Sequence, residues 1–82
     1  MFSYISFFNN TAFPFITICE DGENITECLP RHIKSKFHTA DSGSISVTVS
    51  DNNNKPFLNL YISLFPNEFY TLNINDTFAE LI

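Results

Sequence analysis

Two histidines, two cysteines and nine carboxylates are the groups in this chain best suited to chemistry. A closed zinc site needs four convergent ligands at about 2 Å. His32 and His38 stand six residues apart in a segment that reads as a strand. At roughly 3.3 Å per residue their backbones lie about 20 Å apart, so they cannot share one ion. A metal or small-ligand site would take one of these histidines with Asp41, Cys19 or Cys28. No spacing among these residues matches a ligand motif. No nucleophile elbow or family-specific frame surrounds either cysteine. A chain of 82 residues also has little room for a catalytic pocket. The expectation is therefore no enzyme, no cofactor and no metal. A ligand- or metal-binding domain using His32, His38 and Asp41 is the competing reading.

Cys19 and Cys28 flank Asp21-Gly22, a dipeptide suited to a two-residue type I′ turn because both central residues need positive φ. With that turn, Cys19 faces Asn24 and Cys28 faces Phe15, and the sulfurs do not meet. A longer loop would bring them together. The two cysteines read as small buried hydrophobes, with a disulfide as the alternative.

His32, Lys34, Lys36 and His38 occupy alternate positions, so on a strand they share one face. With Arg31, this stretch holds three of the four cations of a chain whose net charge is −5. One reading is a basic stripe for an acidic partner, stronger near pH 5.5 than near pH 8 because histidine is the side chain whose charge ordinarily changes in that range. The other is edge protection, since lysines along an edge strand discourage sheet-to-sheet association. The second device is the commoner one.

The elements that must carry these residues are short strands divided by turn residues. Segment 3–8 stops at Asn9-Asn10-Thr11, and 15–20 leads through Asp21-Gly22 into 23–29, which Pro30 ends. A fourth strand is expected over 32–39. Ser44-Ile45-Ser46-Val47-Thr48-Val49-Ser50 alternates strictly, apolar against hydroxyl, which is the pattern of a half-buried strand. Two more strands are expected over 57–64 and 68–74. The triplets at Asn9, Asn24 and Asn75 fit the glycosylation pattern but read as turn residues. In the tail 75–82, Thr77 and Glu80 have capping-box spacing, so this piece is either one helical turn or a docking segment. Seven strands at about ten-residue spacing predict one all-β domain over 1–82, a sandwich of two antiparallel sheets of immunoglobulin-like type.

Composition agrees with that class. Ten Phe and three Tyr supply large apolar area per residue, which a small core needs. Four cations and a pI near 4.6 do not provide the positive field that nucleic-acid binding requires. No apolar run is long enough for a membrane helix. Met1-Phe2-Ser3-Tyr4 lacks the basic start and apolar stretch of a signal peptide, so either a cytosolic chain or a leader upstream of this sequence is expected.

Aromatic placement gives the interaction candidates. In 57–64, Leu58, Leu60, Ile62 and Leu64 share one side, and Phe57 and Tyr61 take the other. In 69–74, Tyr70, Leu72 and Ile74 oppose Phe69, Thr71 and Asn73. Set side by side, Phe57, Tyr61 and Phe69 make one sheet face semi-apolar. Such a patch marks an interaction site, unless the tail, through Phe78, Leu81 and Ile82, folds back over it.

The succession Phe7-Phe8-Asn9, Pro14, Ile16-Thr17-Ile18-Cys19-Glu20-Asp21-Gly22, Ser42-Gly43-Ser44-Ile45 and Phe69-Tyr70-Thr71 resembles the bacterial envelope-associated family catalogued as domain of unknown function 4397. The similarity spans nearly the whole chain. It implies an immunoglobulin-like or transthyretin-like sandwich, frequent in exported proteins, and brings no catalytic residues. The combined expectation is a non-catalytic structural or protein-interaction module of the cell envelope or surface, docking a protein partner or a second copy of itself. Strand addition at an exposed edge is the expected mode.

Overall fold

Residues 44–50 alternate between hydroxyl and branched apolar side chains, and with Gly43 they form a strand whose Ile45, Val47 and Val49 are buried. The same two-residue period builds the rest of the molecule. The computed structural model describes all residues from Met1 to Ile82. Its strands are β1 (Phe2–Asn9), β2 (Phe15–Glu20), β3 (Glu23–Pro30), β4 (His38–Asp41), β5 (Gly43–Ser50), β6 (Pro56–Leu64), β7 (Phe69–Ile74) and β8 (Ala79–Leu81). They form two sheets of four, a front sheet in the order β4-β1-β7-β8 and a back sheet in the order β3-β2-β5-β6.

The core lies between the sheets. Ile5, Phe7, Leu72 and Ile74 enter it from the front, and Ile16, Ile18, Ile45, Val47 and Val49 from the back. All nine are at most 2% exposed, so each contributes roughly 1.5–3 kcal/mol of burial free energy. Asp21 and Gly22 adopt φ of 50° and 87°, the positive pair a type I′ hairpin turn demands.

Four features differ from the sequence reading. The molecule has eight strands, not seven, because Ala79–Leu81 pairs with Leu72–Ile74 as a short edge strand. Three residues are too few to display alternation, and the backbone of β7 supplies the order that a free helical turn lacks. The sheets are not wholly antiparallel either. β1 runs parallel to β7, with Tyr4 opposite Phe69 and Asn9 opposite Ile74. A parallel pair between the chain's two ends leaves no local sequence signature.

The expected strand 32–39 is interrupted. His32 takes φ of 63° in a turn, and its N–H donates to the Asn9 carbonyl at 2.7 Å. The hydroxyl of Ser35 accepts the Phe7 N–H at 2.9 Å, in place of a backbone carbonyl. Between the pairs Ile5–His38 and Phe8–Lys34 this side therefore carries one residue more than β1, and regular pairing begins only at His38. Finally, the hairpin between β2 and β3 slips in register. Cys19 faces Asn24 as expected, but Phe15 faces Pro30 rather than Cys28. Cys28 itself has φ of 52°, as in a bulge.

Candidate interaction surfaces

On β1 the even residues turn away from the core, and the parallel register sets Tyr4 beside Phe69 and Ser6 beside Thr71. The rings of Tyr4 and Phe69 stack with centroids 4.6 Å apart. Phe37 meets Phe69 edge to face at 5.2 Å, a favoured aromatic geometry. The Lys34 ammonium lies 4.8 Å from the centre of the Phe37 ring, a cation–π contact. Ile82 bonds backbone to backbone with Thr71, so it joins the same outer face. Phe69 is 63% exposed and Ile82 72%. Beneath them Ser6 is buried, its hydroxyl 3.0 Å from that of Thr71.

This face gathers Lys34, Phe69 and Ile82 from the sequence-derived candidates and adds Tyr4 and Phe37. Tyr4 was legible from its alternation with Ile5. Phe37 had no signal, because the extra residue on its side of the β1 pairing changes which way it points.

Phe57 and Tyr61 are elsewhere. β6 belongs to the back sheet, so they lie on the opposite side of the molecule from Phe69. The semi-apolar face expected to unite them does not form. Phe57 is half-buried against Phe13, with ring centroids 4.9 Å apart, whereas Tyr61 is exposed. On β5, hydroxyls stand opposite the outward residues Tyr61 and Asn59 of β6, namely Ser46 and Thr48. The tail covers neither face. Leu81 is half-buried against the core, and Phe78 remains exposed.

The basic stripe holds together only in part. Lys34 opposes Phe8, while His38 opposes Ile5 and turns toward the gap between the sheets. There its Nε2 lies 3.0 Å from the Thr26 hydroxyl of β3. Arg31 reaches the Ala12 carbonyl at 3.2 Å, and His32 is exposed on its turn. Lys34, Lys36 and His38 line one wall of an open groove of about 360 Å³, with Thr26, Glu27 and Cys28 on the other. No group of three or more His, Cys, Asp or Glu side chains is arranged to hold a metal ion. Cys19 and Cys28 are both free thiols. Cys19 donates to Asn24 Oδ1 at 2.7 Å, and Cys28 is exposed rather than buried.

At the far end of the same gap, Glu20 points inward beside Asp21, Glu23 and Asp41. Its Oε2 is buried without a hydrogen-bond partner. Burial, reinforced by the charges of Asp21, Asp41 and Glu23, raises its pKa above the ordinary 4.5.

Four strand edges bound the sandwich. β3 is irregular and carries Glu23, Glu27 and Pro30. β4 has four residues, among them His38 and Asp41, and β8 has three. β6 has nine residues, none charged.

Comparison with protein-family models, with curated proteins and with solved structures finds no match to this chain. No helix in the molecule is long and apolar enough to cross a membrane.

Proposed function

We propose that this domain is a non-catalytic interaction module that docks a protein partner on the outer face of its front sheet. The observation that carries this reading is the aromatic run Phe37–Phe69–Tyr4, flanked by Lys34 and Ile82. Phe69 is held by strand pairing and Ile82 by two backbone bonds to Thr71, yet both expose most of their surface. Exposed aromatics on a rigid frame make effective anchors, because little side-chain freedom is lost when a partner covers them. The front sheet supplies the frame, and Lys34 adds a cation at its rim. An envelope setting is what the family resemblance supplies.

Within the two-sheet architecture, we carry forward the transthyretin-like form in preference to the immunoglobulin-like one. Here β1 and β2 lie in different sheets, whereas in immunoglobulin constant-type domains the first two strands share one.

A photo-crosslinking residue at position 69, compared with one at position 44 on the outer face of the back sheet, tests the reading in cells that make the protein. Specific adducts from position 69 and none from position 44 are expected. Equal labelling, or none from either, overturns it.

A further inference from the structure

We infer that β6 is a self-pairing edge, at which a second copy of this chain adds its own β6 antiparallel to the first. The inference goes beyond the interaction reading, since it concerns an edge of the back sheet and not the aromatic face of the front one. Exposed strand edges template further pairing, and proteins blunt them with charge, proline, bulges or shortness. Three of the four edges here have such devices. β3 has register slips, two glutamates and a terminal proline. β4 and β8 have only four and three residues, and β4 bears His38 and Asp41. β6 has nine residues without charge, and its proline stands at the first position, where a missing donor interrupts little. At roughly 3.3 Å per residue it is about 30 Å long, close to the 34 Å greatest extent of the molecule.

The occupant follows from the pattern of the strand. Antiparallel pairing centred on Leu60 engages all nine residues at once. It sets Leu58 opposite Ile62, and Asn59 opposite Tyr61, of the other copy. Every core-facing residue then meets a core-facing residue, and every outward one an outward one. No charge on the strand opposes the pairing. Leu58, Leu60 and Ile62 are only half-buried against the core, because the front sheet ends on this side in three-residue β8. A second copy covers them further. The pairing joins two back sheets into one of eight strands and leaves both aromatic faces free on the same side.

Sedimentation velocity on the purified chain tests this. The contact is at the small end of interfaces, roughly 1,000 Å² in total, and area does not set affinity, so the chain is followed from about 1 µM to about 1 mM. Asn59→Lys with Tyr61→Lys changes two exposed, outward residues and sets lysine against lysine across the pair. This variant should hold the 9.4 kDa monomer mass at concentrations where the unaltered chain has doubled. Asn59→Asp with Tyr61→Lys sets unlike charges opposite each other and should dimerise again, in a salt-sensitive manner. Hydrogen exchange on the unaltered chain gives a readout independent of substitution, with β6 amides slowing as concentration rises. A chain that stays monomeric to about 1 mM, a dimer indifferent to the paired lysines, or an Asp/Lys variant that stays monomeric overturns the Leu60-centred pairing. None of these outcomes bears on crosslinking at position 69, which lies in the other sheet.

Discussion

The side-chain amide of Asn9 donates to the carbonyl of Leu29 at 2.9 Å, tying the end of β1 in the front sheet to the end of β3 in the back sheet. Its Oδ1 accepts both the N–H and the hydroxyl of Thr11, at 3.0 and 2.6 Å. The backbone of Asn9 also pairs with His32 and Ile33. Asn9 is fully buried and Thr11 nearly so. Here polar groups close one end of the sandwich.

Asn9→Ala leaves a buried carbonyl and two buried donors without partners. Each such loss costs about 1–3 kcal/mol, and partial rearrangement recovers some of it. A net loss of about 3 kcal/mol is expected in urea unfolding, with the slope unchanged. Asn9→Asp keeps the acceptor for Thr11, but while ionised it loses the donor to Leu29 and buries a charge, so it should regain part of the lost stability on acidification, as the carboxyl takes up a proton and with it a donor.

Glu20 gives the chain a pH dependence of stability. Its pKa is raised in the folded state, so the folded chain binds the proton more tightly than the unfolded one. The stabilisation is complete below the unfolded value and is lost as pH rises through the folded value. Glu20→Gln should therefore stabilise the domain near neutral pH and flatten the fall in melting temperature on the rise from pH 4.5. A melting curve series across that window checks both effects. Equal slopes for the two proteins would count against this account.

Gly22 has φ of 87° with nothing within 4 Å of the place a Cβ would occupy. Gly22→Ala meets no steric obstacle, so its cost is that of the left-handed backbone alone. A loss of about 1 kcal/mol is expected. Gly22→Asn should cost less, because asparagine tolerates that region better.

The free thiols should differ in reactivity. Cys28 is exposed at a bulge, while Cys19 is half-buried and bonded to Asn24. Alkylation of the folded chain, followed by peptide mass analysis, should label Cys28 first. Asn24→Ala should narrow the difference by releasing the Cys19 sulfur.

What the sequence made legible was local. The alternation over 44–50, the Asp21-Gly22 turn and the stop at Pro30 each place a backbone feature within a few residues, and each is present. What it hid depends on distant partners. Phe57 and Phe69 share an outward orientation, but nothing near them tells that β6 and β7 enter different sheets. Lys34 and His38 share parity in the sequence, yet the extra residue between them places Lys34 opposite outward Phe8 and His38 opposite inward Ile5, and they meet only along the groove between the sheets. Asn9 resembled an ordinary turn residue. The sign available was Thr11 two positions on, the spacing of an Asx turn, although its burial depends on residues 29–33.

The parallel contact between β1 and β7 has a consequence for synthesis. The back sheet is complete once residue 64 has left the ribosome, and its four strands are hairpin neighbours or close to it. β1 is made well before β7, the parallel one of its two neighbours. The nascent chain must therefore keep Ile5 and Phe7 without their final company until β7 is made. Closure of the front layer becomes a slow, late event that a pulse of exchange labelling should resolve.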